Sequence, residues 1–479
     1  MPLILPGNVA SATAAGYDVA NSCRFNPGDS PYMYKTVVSP TSATISTVSF
    51  WMKATGVTDK GIFAARTDTN NRHSIYWEGQ GNARLELWGK RSGSVTVEMH
   101  LTRQHRDPAA WIHHVIGIDT TQSTAGNRVK WYVNGVQQSI FTTETQATED
   151  SSLEWSVADA TIAVGAYAKT SGFGDYFDGY LAEVVFIDGI QYAASDFGEF
   201  DSDSPSTWKP KDPSGLTFGN NGFYLDFEAS DNLGNDANGG TDLTESGLAA
   251  VDQYIDSPTN NFATMNPLGG ECTLTQGNTM VQHSGSGNDQ QNSHTTLAVS
   301  KGRWYAEMKV TMHATSGSGR YYPGIGVSDV SLPVTSNPLS NTYMGGVAGT
   351  YAFMANGQTD YAGSQTAGDA SSQYATDDIV GIYLDLESAT KTMKIHKNGT
   401  EIESVNIAAP ISFYAIGNNI HNNGSNCRAK WNFGSAQYDE TAVSSGNADP
   451  NGYGSFEYST TESSLDYYAL CTKNIAEFG

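Results

Sequence analysis

The sequence is poor in cysteine, in positive charge and in long apolar runs. Its four cysteines, Cys23, Cys272, Cys427 and Cys471, lie far apart and form no C-x-x-C pair. That spacing argues against a zinc site and against a disulfide framework, so we expect free and mostly buried thiols. No stretch approaches the roughly 18 apolar residues of a membrane-spanning helix. The N-terminal segment also lacks the basic and apolar regions of a secretory signal.

Positive charge is scarce relative to negative charge. Lys and Arg total 26 against 50 Asp and Glu, which gives a formal net charge of −24. Such a surface repels nucleic acid and anionic membranes, so neither nucleic-acid binding nor membrane insertion is expected. The acidic excess has two open interpretations. It either keeps the protein in solution, or some of its carboxylates gather around a hard cation such as Ca²⁺.

The chain is rich in turn residues and aromatics, with 50 Gly, 25 Tyr and 11% aromatic residues. Helical periodicity is nearly absent, whereas short segments of alternating apolar and polar residues recur between Gly, Asn and Asp. In TVSFWMKA, for example, Val48, Phe50 and Met52 fall on one face. Short strands of this kind at regular spacing predict an all-β protein built from β-sandwiches.

One pattern of two strands and a tight turn occurs twice. VIGIDTTQ…RVKWYVNG ends at Asn134-Gly135, and VGIYLDLESATKTMKIHKNG ends at Asn398-Gly399. Asn-Gly is the strongest short hairpin signal, because a type I′ turn needs positive φ at both central residues. The repetition predicts two related sandwiches in tandem. We place them at residues 1–208 and 263–479, joined by an extended connector, residues 209–262, with one added strand in FYLDFEA.

Particular segments also resemble known families. SCRFNPGDSPYM, SFWMKA, RDPAAWIHHVIGIDTTQSTAGNRVKWYVNG and FDGYLAEVVFIDG resemble the laminin-G-like, concanavalin-A-type jelly rolls of appendage proteins in tailed phages, especially marine ones. In the second half, KGRWYAEMKV, YYPGIGV, DDIVGIYLDLESATKTMKIHKNG and WNFG resemble a SPRY domain, also a concanavalin-A-like sandwich. The expected fold is therefore two tandem concanavalin-A-like jelly-roll β-sandwiches joined by an extended connector.

The resemblance implies a non-catalytic structural protein of a tailed-phage virion, in a tail or head fibre. Such a protein is made in the host bacterial cytoplasm and displayed on the virion surface. Its implied partners are other virion proteins and host-surface carbohydrate, and the implied assembly is a homotrimer, since fibres of this kind are usually trimeric. Two alternatives stay open: a capsid decoration or assembly protein without an external ligand, and a polysaccharide depolymerase.

The depolymerase alternative needs suitably placed carboxylates. Retaining glycoside hydrolysis uses two of them about 5 to 5.5 Å apart, and glycosidases with related jelly rolls carry E-x-D-x-x-E, which this sequence lacks. EFDSDS comes closest, with Glu199, Asp201 and Asp203 at alternate positions in a Ser- and Pro-rich turn region. Glu183, inside an apolar strand, is either a catalytic acid of raised pKa or a structural carboxylate that accepts backbone or tyrosine hydrogen bonds at a sheet edge. We favour the structural role and assign no catalytic residue.

Two features suggest metal ligands. His113 and His114 are consecutive on a predicted strand, so they face opposite sides, cannot share an ion, and should be one packed and one exposed. DNLGNDANGGTD is a Gly-rich segment that can curl round Ca²⁺, the one cofactor considered. Its candidate ligands are Asp231, Asn235, Asp236, Asn238 and Asp242. The alternative is a solvated turn held by Asx motifs.

Four loops combine aromatic rings with planar polar side chains, which suits sugar binding in shallow clefts. The candidate ligand-binding residues are Phe173, Asp175 and Tyr176 in SGFGDYF; Arg320, Tyr321 and Tyr322 in SGRYYP; Asn356, Asp360 and Tyr361 in NGQTDYAGSQ; and Asn418, His421 and Asn423 in GNNIHNNGSN. For each loop, turn chemistry or contact with a neighbouring subunit is the alternative. A peptide ligand also stays open for the SPRY-like half.

Overall fold

The structure is a computed structural model that describes residues 16–56, 58–79, 81–268, 272–284, 290–312, 314–315, 321–331, 344–408, 412–421, 427–435, 437–438 and 441–479. The chain divides into two compact units, an N-terminal unit that ends at Thr259 and a C-terminal unit, Asn260–Gly479. Strands dominate both units, which confirms the predicted all-β sandwich architecture. None of the helices in the described residues is long and apolar enough to cross a membrane.

The N-terminal unit consists of two antiparallel sheets. Sheet A contains, in spatial order, Val136–Gln137, Val129–Val133, Ile112–Asp119, Ile45–Ala54, Gly179–Asp188, Ser22–Phe25 and Gln253–Tyr254, with Phe223–Leu225 also paired to Gly179–Asp188. Sheet B contains Phe141–Thr145, Ser94–Leu101, Arg84–Arg91, Arg72–Glu78, Lys60–Arg66, Thr161–Val164, Tyr32–Thr36 and Thr244–Ser246. Two small hairpins are added, Tyr167–Ala168 with Phe173–Gly174 and Gly198–Phe200 with Trp208–Pro210.

The main core lies between sheets A and B. Val48, Phe50 and Met52 point into it from sheet A, as the alternation in TVSFWMKA predicts, and Ile75 and Leu87 meet them from sheet B. Trp131 and Trp155 are among the largest side chains with no exposed surface. One continuous core shared by both sheets makes this unit a single sandwich.

Residues C-terminal to the sandwich strands cover the outer face of sheet A. On strand Gly179–Asp188, Val185 and Ile187 point away from the main core and join a second apolar cluster. The buried members of that cluster are Val115, Val185, Ile187, Ala194, Phe197, Phe218 and Tyr224. The segment 209–262 therefore does more than connect: it supplies strands Phe223–Leu225, Thr244–Ser246 and Gln253–Tyr254 to the two sheets.

The same segment pairs two buried cations of sheet A. Arg24 Nη2 lies 2.8 Å from Asp252 Oδ1, and Lys53 Nζ lies 2.8 Å from Asp256 Oδ2. Both basic side chains have no exposed surface. Trp111 Nε1 donates a third bond, 3.0 Å long, to Asp256 Oδ1. Because an unpaired buried charge is costly, the residues that follow position 208 belong to the folded unit itself.

His113 and His114 are both buried, so the prediction that one of them is exposed is wrong. His114 faces the main core, where its Nδ1 accepts from Trp131 Nε1 at 3.2 Å. His113 faces the opposite side, where its ring stacks on Trp51 at 4.7 Å between centroids. The cover over sheet A buries it there, because Trp208 Nε1 donates to His113 Nδ1 at 3.0 Å.

The C-terminal unit is a second sandwich. Sheet C contains Thr273–Thr275, Met280–Gln282, Arg428–Asn432, Arg303–Met312, Ile379–Asp385, Thr392–Lys397 and Thr400–Asn406, with Tyr468–Ala469 running parallel to Arg303–Met312. Sheet D contains Gln290–His294, Tyr414–His421, Gly324–Asp329, Thr350–Phe353, Thr359–Tyr361 and Ser364–Gln365. The described residues also form four hairpins, Ala314–Thr315 with Tyr321–Tyr322, Gln437–Tyr438 with Thr441–Ala442, Asn447–Ala448 with Ser455–Phe456, and Thr461–Glu462 with Leu465–Asp466. A short 3-10 helix, Ala370–Ser372, and the α-helix Thr472–Phe478 are the helical elements described in this unit.

Both Asn-Gly turns are confirmed as hairpins with positive φ at each central residue. The φ values are 46° and 77° at Asn134-Gly135, and 49° and 80° at Asn398-Gly399. In each unit the asparagine also bridges back to the preceding strand. Asn134 Oδ1 accepts from the amide of His113 at 2.8 Å, and Asn398 Oδ1 accepts from that of Ile379 at 2.9 Å. The turn asparagine thus fixes three strand segments at once.

Candidate functional site

The N-terminal unit carries a cluster of partly exposed aromatic rings on the outer face of sheet B. Met33 points into the core, so its neighbours Tyr32 and Tyr34 point outward. The ring of Tyr32 lies 5.5 Å from Tyr34, 5.8 Å from Phe173 and 5.8 Å from Tyr176, measured between centroids. We call Tyr32, Tyr34, Phe173 and Tyr176 the aromatic patch. Tyr32 is its centre, because it contacts the other three rings.

The loop that contributes Phe173 and Tyr176 is fixed to sheet B by its backbone. The amide of Gly61 donates to Asp175 O at 2.6 Å, and Arg72 Nη1 donates to Ala168 O at 2.6 Å. Asp175 has φ of 48° and pairs with Lys169, whose Nζ lies 2.7 Å from Asp175 Oδ1. Both charged side chains are nearly half exposed, so they are available to a ligand beside the rings.

Further along the same outer face lies a cluster of ionisable groups, Tyr76, Glu78, Arg84, Glu86 and His100, which we call the charged patch. Arg84 joins its two carboxylates, since Nε lies 2.6 Å from Glu78 Oε2 and Nη2 lies 3.2 Å from Glu86 Oε1. His100 Nδ1 is 3.0 Å from Glu86 Oε1, and Tyr76 donates its hydroxyl hydrogen to Glu86 Oε2. One ligand atom each of Glu78, Glu86 and His100 lie within 4.8 Å of one another.

The two carboxyl groups of the charged patch have shifted pKa values of opposite sign. Burial, together with the hydrogen bond to Glu78, raises the pKa of Glu86 to about 7. The same hydrogen bond, with that from Arg84, lowers the pKa of Glu78. The pair therefore shares one proton near neutral pH. Burial lowers the pKa of His100, which keeps its imidazole neutral at that pH.

The hairpin Tyr167–Ala168 with Phe173–Gly174 links the two patches. Tyr167 packs edge-on against Tyr76, with 5.3 Å between ring centroids. On its other strand, Phe173 belongs to the aromatic patch. The outer face of sheet B thus presents flat rings beside planar, hydrogen-bonding side chains. Rings can stack on the apolar faces of sugars, while carboxylate and guanidinium groups bind hydroxyl groups.

The structure brings together one of the four predicted ligand loops, the one with Phe173, Asp175 and Tyr176. The sequence interpretation missed Tyr32 and Tyr34, which complete this cluster from a strand about 140 residues earlier. A usable signal was present, because YMY places two aromatic residues on the face opposite Met33. The charged patch was also missed, since its members come from three separate strands.

Most of the ligand residues predicted in the C-terminal unit are buried, so the prediction of exposed loops there is wrong. Tyr322, Asp360 and Asn418 have at most 2% exposed surface, and Asn356 and His421 have 8% each. Asn418 accepts from Trp431 Nε1 at 3.2 Å, and Tyr322 stacks on His421 at 4.9 Å. Tyr322, Asp360, Asn418 and His421 belong to strands, and Asn356 lies in the turn between strands Thr350–Phe353 and Thr359–Tyr361.

The other four predicted residues of this unit are placed as follows. Tyr361 remains partly exposed, with its ring stacked 4.4 Å from Tyr351. Arg320 and Asn423 lie outside the described residues, and so does the side chain of Tyr321. The C-terminal unit therefore shows no described cluster of exposed rings comparable to the aromatic patch.

The aspartates of the segment considered for calcium accept hydrogen bonds from backbone amides. Asp236 Oδ1 accepts from the amides of Tyr224 and Asn238, and Asp242 Oδ1 accepts from that of Asp236. Asp231, Asn238 and Asp242 are exposed, Asn235 is partly exposed and only Asp236 is buried. Burial raises the pKa of the Asp236 carboxyl. This is the Asx-turn arrangement given as the alternative, while calcium binding itself stays a prediction.

Glu183 occupies a β-bulge of strand Gly179–Asp188. The register against Ile45–Ala54 shifts between Ala182 and Val185, and Glu183 has a φ of 51°. Its carboxyl group accepts from Tyr224 at 2.9 Å and from Tyr17 at 3.1 Å, as a structural carboxylate should. Burial raises its pKa to about 8. Asp201 accepts from the amides of Asp203 and Ser204 and so organises a turn.

Comparisons with known proteins bear on the N-terminal unit most directly. Residues 28–190 match the laminin G family profile of the concanavalin A-like lectin/glucanases superfamily. The sequence has no match among curated proteins. These results agree with a concanavalin-A-like sandwich in the first half of the chain.

Solved structures with some similarity include the SPRY domain of human HERC1, at 16% identity over 35% of this chain and 96% of that one, with a TM-score of 0.28. A candidate carbohydrate-binding protein of Bacteroides ovatus has 15% identity over 48% of this chain and 58% of that one, with a TM-score of 0.34. The LG1-3 region of the laminin alpha2 chain has 10% identity over 86% of this chain and 63% of that one, with a TM-score of 0.33. TM-scores this low carry no argument about function. What the comparisons show is the similarity of residues 28–190 to the laminin G-type profile of the concanavalin A-like superfamily.

Proposed function

We propose that the N-terminal unit binds carbohydrate at the aromatic patch and that the chain acts through binding, without catalysis. The observation that carries the proposal is the contact of Tyr32 with three other partly exposed rings on one sheet face. Exposed clusters of rings are uncommon on a surface that serves only solubility. Lys169 and Asp175 beside the rings supply polar contacts for sugar hydroxyl groups.

The setting that we propose is the surface of a tailed-phage virion, where the chain would be part of a tail or head fibre and adhere to host-surface glycan. This part rests on the resemblance of the sequence segments to phage appendage proteins. A trimeric fibre would present three aromatic patches, so that a weak single site gains avidity. The net charge of −24 favours neutral over anionic glycans as ligands.

The binding site is tested with a panel of neutral and acidic bacterial surface oligosaccharides and isothermal titration calorimetry, which measures single-site affinity. Tyr32→Ala removes the central ring and should lower the affinity for the bound oligosaccharide roughly tenfold, if one stacked ring contributes about 1.4 kcal/mol. Tyr361→Ala is the matched control, because it removes a stacked, partly exposed tyrosine from the other unit.

Equal losses in both variants would place the site elsewhere, and no binding to any oligosaccharide would contradict carbohydrate recognition. The virion setting has a separate test. Antibodies against the N-terminal unit should label the distal part of a fibre in electron micrographs of assembled particles. Labelling confined to the head shell, with no binding to host cells, would instead indicate a decoration protein.

A further inference from the structure

A second cluster of ionisable groups lies in the C-terminal unit, far along the chain from the aromatic patch. It is formed on the outer face of sheet C, at the hairpin that turns at Asn398-Gly399. Met393 and Ile395 point into the core, so Lys394 and His396 on the same strand point outward. The hairpin Thr461–Glu462 with Leu465–Asp466 lies over this face, where Tyr467 packs edge-on against Tyr383.

Three side chains from three strands converge there. His396 stands directly opposite Glu401 in the register of the two neighbouring strands, and Glu462 comes from the covering hairpin. One ligand atom of each lies within 4.8 Å of those of the other two. Such a set, one imidazole nitrogen and two carboxylate oxygens, is the chemistry of a three-ligand site for a first-row divalent ion.

His396 supplies the independent indication that this cluster is suited to an ion. Only 7% of its surface is exposed, and its ring lies against that of Tyr383, tilted by 45° with 4.3 Å between centroids. The Gly399 backbone is a hydrogen-bond partner of the ring, but neither ring nitrogen makes a hydrogen bond of normal length and angle to a described residue. Gly399 can satisfy one nitrogen at most, so the other nitrogen is available to bind an ion.

Lys394 is the charged group that pairs with the two glutamates of this cluster. Its Nζ lies 3.0 Å from Glu401 Oε2 and 2.9 Å from Glu462 Oε2.

Lys394 neutralises the two carboxylates and competes with an ion for them. Its side chain is 21% exposed and has a flexible four-carbon stem, so the ammonium group can move into solvent. Displacement of Lys394 would cost part of the binding energy, which predicts moderate rather than tight affinity.

We propose that His396, Glu401 and Glu462 form a binding site for Zn²⁺ or a similar first-row divalent ion, which replaces the Lys394 ammonium group. The ion joins the sheet C hairpin to the covering hairpin that carries Glu462. Binding to the folded state alone stabilises the C-terminal unit by mass action. The site does not suit Ca²⁺, because Ca²⁺ is coordinated by six to eight oxygen atoms and avoids imidazole nitrogen.

The test adds Zn²⁺ to the full chain. Isothermal titration calorimetry measures the zinc affinity and stoichiometry, and thermal unfolding measures the effect of zinc on stability. The wild type should bind one Zn²⁺ per chain and unfold at a higher temperature with it, and excess Ca²⁺ should not displace the bound zinc. His396→Gln should weaken zinc binding roughly tenfold or more, since one of three ligands is lost. Lys394→Met should strengthen it roughly tenfold, because the competing cation is removed. Co²⁺ should give the visible absorption of a four-coordinate ion.

His100→Gln is the matched control, since it changes a histidine of the other carboxylate cluster in the same way. Loss of zinc binding in this variant, but not in His396→Gln, would overturn the proposal. Weak binding of several zinc ions per chain, with affinities that His396→Gln does not change, would also overturn it. That result would mean adventitious binding of zinc to acidic surface groups. Glu462→Gln serves as a second ligand variant should His396→Gln not fold.

Discussion

The buried histidines of the N-terminal unit make a quantitative prediction about acid stability, which His113 shows most clearly. Burial alone lowers its pKa to about 3. Because Nδ1 accepts from Trp208 Nε1, the ring hydrogen is on Nε2, which donates to Ser49 Oγ at 2.9 Å. A second proton would have to enter at Nδ1 and break the bond from Trp208.

The sign of the effect follows from the two pKa values. Unfolded His113 takes up a proton below its usual pKa of about 6.5, whereas the folded protein does so only near 3. Stability is thus fully present above pH 6.5 and is lost as the pH falls towards 3. Between pH 7 and pH 5 the free energy of unfolding should fall by about 2 kcal/mol. The part of this range below the unfolded pKa spans about 1.5 pH units, and each unit corresponds to about 1.36 kcal/mol.

The variant His113→Gln isolates this contribution. Glutamine can accept from Trp208 and donate to Ser49 but does not titrate, so all other ionisable groups cancel in the comparison. Urea unfolding of both proteins at pH 7 and pH 5 measures the difference in free energy of unfolding. We expect the wild type to be more stable at pH 7, with an advantage that shrinks by about 2 kcal/mol at pH 5.

Ser49→Ala is the control for that experiment. It removes the hydrogen-bond partner of Nε2 and leaves the histidine in place, so its stability deficit should be nearly independent of pH. An advantage of the wild type over His113→Gln that is the same at both pH values would refute the reasoning, because it would mean that the folded protein protonates His113 freely.

Two further predictions concern the same unit. A fragment that ends at residue 208 lacks Asp252 and Asp256, the partners of Arg24 and Lys53, and should fail to fold. A fragment that ends at Thr259 keeps both partners and should show a cooperative unfolding transition by circular dichroism. If both fragments fold, Asp252 and Asp256 are dispensable. Glu183→Gln should make the free energy of unfolding less sensitive to rising pH. Because the folded protein holds the Glu183 proton up to a pKa of about 8, the wild type should lose about 2 kcal/mol of stability between pH 6 and pH 8. The glutamine amide does not titrate, so the variant should lack this loss. Parallel pH profiles of the wild type and the variant in chemical denaturation would contradict a protonated Glu183.

Local pattern predicted much of the fold. Strand alternation placed Val48, Phe50 and Met52 in the core, and two Asn-Gly pairs identified hairpins in both units. These features depend on neighbours in sequence, which periodicity and turn chemistry report directly. The loop with Phe173 and Tyr176, which contributes two rings to the aromatic patch, was found in the same way, since a loop between strands carries rings and polar groups together.

What the sequence did not predict depends on pairing between distant residues. Strand Gln253–Tyr254 pairs with Ser22–Phe25 across about 230 residues, and a Pro- and Gly-rich segment gives no local sign of such a partner. The burial of Asn418 follows from Trp431, which needs an acceptor inside the core. A polar residue in a loop-like sequence can therefore be a core residue whose partner lies on another strand.

The asparagine bridges at the two tight turns have a consequence for the chemical ageing of the protein. Asn-Gly is the dipeptide in which the side-chain amide is most readily lost in stored or heated protein. Asn134 uses its oxygen towards His113, and an aspartate could keep that bond. Asn398 also donates from Nδ2 to Asp378 Oδ1 at 2.7 Å, so deamidation there would set two carboxylates against each other. In protein stored for a long time, the hairpin at Asn398-Gly399 should therefore lose its structure first, next to the strand that bears His396.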